Sequence, residues 1–408
     1  MRHLSWALAS VALVLTVGKS QSAYAQTYTT LHSFSGLPDG REPIAGLVED
    51  TNGNLYGTTY LGGAYQGGTV FKLDKNGNET VLLNFVGFPH DGFNPDAALV
   101  RDTMGNIYGV TSKGGTGKNG LPSCKIPPAC GTIFKLDAAG KETVIFSFTG
   151  QRKGAGPIGL VMDAVGNFYG SAGSAKNGSG NGLIFKLNAS GTYTVLHLFQ
   201  GKKDGAYPSA TLLLDEKDHL YGTTGVGGAA GDGTLFQMND AGKETVLWNF
   251  KLGKGIFPSY VGLMRDAAGD FYGTTTVGGN VGKHCSQITT YGCGVVFRIS
   301  RRSESVLYRF KGGADGAFPN AGVAMDQAGN LYGTTAGSGP GCKPGPDCGT
   351  VFRLDRDGKL TVLHTFGIQQ GDGTNPQGTL LRDQVGALYG TTAYGGGLGY
   401  GTVFKLAP

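Results

Sequence analysis

Gly53 to Leu73 read "GNLYGTTYLGGAYQGGTVFKL", and the chain returns to this phrase to its end. The tyrosine of "YGTT" recurs as Tyr56, Tyr108, Tyr169, Tyr221, Tyr272, Tyr332 and Tyr389. The phenylalanine of "GTVFKL" recurs as Phe71, Phe134, Phe185, Phe236, Phe297, Phe352 and Phe404. A second phenylalanine, closing "TVLxxF", recurs as Phe34, Phe85, Phe148, Phe199, Phe250, Phe310 and Phe366. Short β-rich runs bounded by Asp, Asn and Gly are strand chemistry joined by tight turns. Each unit contains four such runs, as in "AGLVED", "NLYGTT", "GTVFKLD" and "ETVLLNF". Four antiparallel strands in a repeat of roughly 50 residues predict a propeller blade. Seven units predict an all-β, seven-bladed β-propeller.

The chain ends support closure into a ring. "YTTLHSF" near the N-terminus is a fourth strand without its first three, and the terminal "GTVFKLAP" is a third strand without its fourth. Pairing them completes the seventh blade and removes an exposed edge, which an open solenoid does not require. The second residue of each innermost strand is small: Gly46, Ala98, Gly159, Thr211, Gly262, Gly322 or Thr379. That suits strands crowded around an axis.

Of 408 residues, 74 are glycine, well over twice the usual ~7 %, while 39 % remain hydrophobic. This composition excludes a disordered chain and fits many tight turns. Residues 1–25 read as a signal peptide: Arg2, an apolar run from Leu4 to Val17, and "AYA" before Gln26. Residues 26–408 are then one propeller domain of an exported protein, secreted or periplasmic, with no membrane span in the mature chain. Without Arg2 and Lys19 the basic count falls from 34 to 32 against 29 acids, a net of +3. The cations form no run, which argues against a nucleic-acid partner.

Length variation marks the face to watch. From the "YGTT" tyrosine to the third-strand phenylalanine, four units take 15 or 16 residues. The others take 26 (108 to 134), 25 (272 to 297) and 20 (332 to 352). The second-to-third-strand loop shares a face with the connection between blades, and the tight turns occupy the other. Function on a rigid scaffold is usually carried by variable loops. All six cysteines lie in the three long loops: Cys124 with Cys130, Cys285 with Cys293, and Cys342 with Cys348. Close pairs in an exported chain predict three local disulfides; two thiols per loop and this spacing are poor for metal.

Five connections carry "DG", at Asp39, Asp91, Asp204, Asp315 and Asp372, while "KGAGP" and "GKGIFP" break the pattern. Such carboxylates can bind a cation or polar sugars; equally, Asp-Gly makes a turn whose carboxylate caps backbone N–H groups. Repetition at a structural position favours capping. His32, His197 and His364 occupy a slot that elsewhere holds Leu83, Phe146, Trp248 and Tyr308, so it reads as a packing slot. His90 and His284 lie in loops of the variable face, as do Tyr60, Tyr65, Tyr394 and Tyr400, which can stack on sugar rings. No GxSxG, HExxH, phosphate-binding loop or dinucleotide fingerprint is present. No cofactor and no metal are implied.

The repeated phrase "GTVFKLDxxGxETVLxxFxGxxDGxxPxAxLVxDxxGNLYGTTxxGG", from Tyr28 to Leu406, resembles the GloVer tandem-repeat family of exported bacterial proteins. The resemblance implies a bacterial, exported setting and transfers no catalytic residue. Many family members end in a surface-sorting segment, whereas this chain stops at "KLAP", which favours a free periplasmic or secreted protein; a monomer is expected. The reading is a non-enzymatic propeller that binds glycan or protein through its long-loop face. The alternatives are a polysaccharide hydrolase or lyase with carboxylates at the channel mouth, and a structural envelope protein that self-associates.

Overall fold

The glycine of every "YGTT" is demanded by the phenylalanine of the next strand. Gly57 pairs with Phe71 across the ladder, and a Cβ at Gly57 would lie 2.6 Å from the Phe71 ring. The same encounter recurs at Gly109, Gly170, Gly222, Gly273, Gly333 and Gly390. The ring can therefore lie flat over its neighbour strand, and Phe71, Phe134, Phe185, Phe236, Phe297, Phe352 and Phe404 are all buried. Each meets the outer-strand phenylalanine of the preceding blade edge-on, as Phe34 meets Phe71 with ring centroids 5.1 Å apart. The threonines are also accounted for. Thr59 and Thr69 Oγ1 atoms sit 2.9 Å apart in the core, and equivalent pairs recur in four more blades. Two buried hydroxyls thus satisfy one another.

The structure is a computed structural model that describes residues 26–87, 89–115, 130–174, 180–208, 211–251, 253–258, 262–279, 285, 289–301, 303–342 and 348–408. Seven antiparallel sheets, each with four strands in radial order, form a seven-bladed β-propeller. Blade 1 comprises Val48–Glu49, Leu55–Thr59, Thr69–Leu73 and Glu79–Asn84. The remaining blades follow in chain order, numbered by their "YGTT" tyrosines. The N-terminal strand Thr27–Ser33 pairs antiparallel with Thr402–Ala407 and completes blade 7, as the chain ends predicted.

The small residues at the head of the innermost strands crowd the axis. A Cβ on Gly46 would lie 3.2 Å from the Thr379 carbonyl oxygen, and one on Gly322 would lie 2.6 Å from the Gly262 carbonyl oxygen. The Gly322 N–H donates to Thr379 Oγ1 at 3.1 Å, joining blades 6 and 7 beside the axis. Aspartates of the inner turns hold the opposite face. Asp50 accepts from the N–H groups of Asn52 and Asn54 and from the Tyr56 hydroxyl, a pattern repeated around the ring.

Candidate functional site

Each connection between blades crosses the long-loop face from the rim to the axis. It is anchored by the residue just before its proline, which holds a left-handed backbone in every blade. Glu42, Asn94, Gly156, Tyr207, Phe257, Phe318 and Asn375 have φ between +52° and +59°. For a tyrosine or phenylalanine this conformation is costly and persists only when its surroundings enforce it. The enforcement is visible. The Glu42 N–H donates to the Tyr400 carbonyl of blade 7 at 2.9 Å, while its own carbonyl accepts the Tyr60 N–H of blade 1 at 3.0 Å. Phe318 and Asn375 make the same stitch to the carbonyls of Cys293 and Cys348, at 3.0 and 2.8 Å.

The disulfides therefore stand at the blade junctions as well as within their loops. Cys285–Cys293 and Cys342–Cys348 are formed, with Cα atoms 5.5 and 6.4 Å apart. Cys130 is disulfide-bonded, and its carbonyl accepts the Gly156 N–H at 2.9 Å. Its expected partner Cys124 lies outside the described residues, as does His284.

The "DG" aspartates turn back onto their own connections. Asp39 accepts the Ser35 N–H at 3.0 Å and its hydroxyl at 2.7 Å, and its other oxygen lies 3.1 Å from His32 Nε2. Asp204 accepts the Gln200 N–H at 2.8 Å beside His197 Nε2 at 3.2 Å. Asp372 accepts the Gly367 N–H at 3.1 Å beside His364 Nε2 at the same distance. Asp315 takes the Lys311 N–H and the Tyr308 hydroxyl, each at 2.9 Å. Asp91 caps Val86 and Gly87, with His90 next to it in the chain. The histidine slot and the aspartates, read separately in the sequence, are thus halves of one contact. The two connections without the aspartate follow blades with Phe146 and Trp248 in that slot: Phe146 has no donor, and Trp248 Nε1 donates instead to Glu304 of the next blade at 3.2 Å.

A third residue from the next blade closes each of these seams. At four seams it is a glutamate: Glu79 beside Asp39, Glu142 beside Asp91, Glu244 beside Asp204, and Glu304, which accepts from Trp248 Nε1 at 3.2 Å. Burial pushes all four up to about 7, with the neighbouring carboxylate adding to it for Glu79, Glu142 and Glu244. Each has a buried Oε1 without a hydrogen-bond partner. Tyr193 fills the place at the seam of blades 2 and 3, stacked on Phe146 at 4.2 Å and donating to the Lys153 carbonyl at 2.7 Å.

The inner end of the face holds a carboxylate that the repeat pattern did not single out. Asp96 follows the connection proline of blade 2, where other blades place Ile44, Asn320 and Gln377. Burial pushes its carboxyl up to about 7 against the hydroxyl of Ser112 and the charge of Lys113, and Oδ1 has no partner. The only signal in the sequence is an acid in a slot that is neutral in those three blades. Of the predicted tyrosines, Tyr60 and Tyr400 meet through Glu42, while Tyr65, Tyr394 and Tyr400 are exposed. Among the described residues no group of three His, Cys, Asp or Glu side chains could hold a metal ion, and no helix is long and apolar enough to cross a membrane.

Comparison with known proteins agrees with the repeat. The Gloeobacter/Verrucomicrobia repeat model matches residues 19–122, 125–288 and 283–408. No curated protein sequence matches the chain. Among solved structures, virginiamycin B lyase from Staphylococcus aureus is similar in fold, with a TM-score of 0.56 at 14 % identity over 94 % of this chain and 99 % of that one. The extracellular domain of a one-component system protein from B. thetaiotaomicron has a TM-score of 0.54 at 10 % identity, over 89 % of this chain and 38 % of that one. At these identities the likeness is one of fold.

Proposed function

The chain belongs to the Gloeobacter/Verrucomicrobia repeat family, and from that premise we propose that it is an exported binding propeller that takes a glycan on its long-loop face. One observation carries the reading. Every exposed tyrosine among the described residues lies on that face: Tyr65, Tyr207, Tyr291, Tyr394 and Tyr400. The opposite face exposes Met104, Val165 and Val385 at turn tips and no tyrosine. Tyrosine offers a flat apolar ring with a polar edge, which suits sugar rings. The connections beneath these loops are locked by backbone stitching and disulfides, so a ligand meets a preorganised surface. Export agrees with the leader-like N-terminus and the disulfides.

A second reading, cleavage of a polysaccharide, has Asp96 in its favour: a buried, partly unpartnered carboxyl near neutrality at the axial end of the same face. Incubation with a panel of polysaccharides separates the two. Retention without new reducing ends or unsaturated products supports the binder. Product formation abolished by Asp96→Asn would replace it with the enzyme.

A further inference from the structure

The connections that cross the long-loop face differ in charge between its two halves. The connection into blade 3 exposes Arg152 and Lys153, and that into blade 4 exposes Lys202 and Lys203. The next two expose Lys251 and Lys311. The three connections into blades 7, 1 and 2 carry only Arg41, beside Glu42, and His90. Asp204 and Asp315, the two acids in these connections, are already engaged by them.

The aromatic residues follow the same division. Three of the left-handed residues before proline are aromatic, and they fall on consecutive blades: Tyr207, Phe257 and Phe318. In blades 1, 2, 3 and 7 the slot holds Glu42, Asn94, Gly156 and Asn375. Glycine and asparagine adopt this backbone most easily, so three aromatic side chains there run against local preference. Tyr207 is 48 % exposed. Each of these connections has its cation at the rim end and its aromatic residue further along the chain; Phe257 and Phe318 are half-buried, and Phe318 packs against the core of the seam between blades 5 and 6. Where the arc begins, Arg152, Lys153, Tyr193, His197 and Gln200 line an open cleft of ≈ 600 Å³.

We infer that the arc over blades 3 to 6 binds an acidic polysaccharide, a chain of sugars bearing carboxylate or sulfate groups. The cations pair with the acid groups along the rim, the exposed Tyr207 ring stacks on a sugar face, and the cleft between blades 2 and 3 receives one end. This rests on the glycan-binding reading and names its ligand class. A lipid surface fits less well, because the exposed aliphatic residues Leu37 and Leu398 sit on the other half of the face. A nucleic acid would need a stronger field than a net charge of +5 for the whole chain supplies.

The test is affinity electrophoresis and calorimetry of the purified protein with polygalacturonate, alginate and heparin. Fully methyl-esterified polygalacturonate is the neutral counterpart. At least one acidic polymer should bind, weakening with salt, and the neutral polymer should bind at least about tenfold more weakly. Lys202→Glu with Lys203→Glu should weaken binding at least about tenfold. Tyr207→Asn, the residue that blades 2 and 7 carry in that slot, should weaken it by a comparable factor without unfolding the protein. Lys75→Glu with Lys359→Glu, on the turn face, should change nothing. Equal binding of the esterified polymer would overturn the acidic class and leave the glycan reading intact. Failure of all four polymers would overturn both. Binding indifferent to Tyr207→Asn and matched by phosphatidylglycerol vesicles or duplex DNA would reduce the arc to a charged surface and overturn the proposal.

Discussion

Tyr28 lies flat on His364, with ring centroids 3.7 Å apart and planes within 1° of parallel. Tyr28 belongs to the strand that completes blade 7, and His364 to the outer strand of blade 6. The N-terminal strand Thr27–Ser33 is therefore held by a side-chain clamp across a seam as well as by its backbone ladder. Tyr28→Ala should cost about 2 kcal/mol of stability through lost stacking and burial. Removing residues 26–34 should do more, because it bares the edge of Thr402–Ala407 and invites self-association. Thermal unfolding and size-exclusion chromatography check both. An N-terminally truncated chain that stays monomeric with an unchanged melting temperature would show that the closure contributes nothing.

The seam glutamates make stability depend on pH with a definite sign. Glu79, Glu142 and Glu244 titrate at about 7 in the folded protein against an ordinary value of 4.5. Between these values the folded state holds more protons than the unfolded one, so the contribution is full below about pH 4.5 and is lost as pH rises through 7. The triple variant with glutamine at these positions keeps a neutral side chain at every pH. Its melting temperature relative to the wild type should therefore rise from pH 4 to pH 8. A constant difference across that range would show that the carboxyls ionise freely.

Asp96 follows the same linkage for a different reason, since it lies at the axial end of the face and not in a seam. Asp96→Asn should leave stability unchanged near pH 4 and raise it near pH 8, where the buried carboxylate would otherwise be charged. Unfolding curves at the two pH values provide the measurement. A loss of stability at pH 8 would mean that the charged form has a partner that offsets its burial.

The glycine–phenylalanine encounter predicts an asymmetric pair of substitutions. Gly222→Ala places a methyl 2.7 Å from the Phe236 ring and should destabilise by about 1–3 kcal/mol. Phe236→Leu alone should also destabilise, by opening space in a fully buried site. Combined, the two should cost less than their sum, because the smaller side chain makes room for the methyl. Strict additivity in a double-mutant cycle would rule out that collision.

Disulfide removal should be felt at the next blade. Closing so short a loop as Cys285–Cys293 or Cys342–Cys348 contributes about 2–2.5 kcal/mol to local order. Cys293 and Cys348 also offer the carbonyls that hold Phe318 and Asn375. Hydrogen exchange after Cys→Ser substitution should speed up at the amides of Phe318 and Asn375, while the blade cores stay protected. Exchange confined to the loops themselves would show that the stitch is independent of the bridge.

Much of this molecule was legible because the repeat compares the sequence with itself. Seven copies of one phrase mark blades, tight turns, loop lengths and the crowded axis, since each slot answers the same steric problem seven times. The capping of connections by Asp39 and its counterparts was the bland reading of Asp-Gly, and the distances show that geometry. The partnership of His32 with Asp39 was missed because the two appeared as separate columns. Their covariation with Phe146 and Trp248, which stand where the aspartate is absent, was the available signal. Asp96 and the aromatic residues before proline were hidden for the opposite reason. They are departures from the repeat, and only their place on the face gives a departure meaning.

By itself, then, the sequence determined the number of blades, the closure of the ring and the face on which length is free to vary. These follow from local periodicity and turn chemistry, which each unit expresses alone. The tertiary structure decided which residues of different blades meet. Glu142 reaches Asp91, Tyr28 reaches His364, and Cys293 holds Phe318, because the ring sets the outer strand of one blade against the connection of another. Contacts across a seam join residues tens to hundreds of positions apart, and no local pattern encodes them. They depend on the curvature that seven twisted sheets adopt when they bury their faces together.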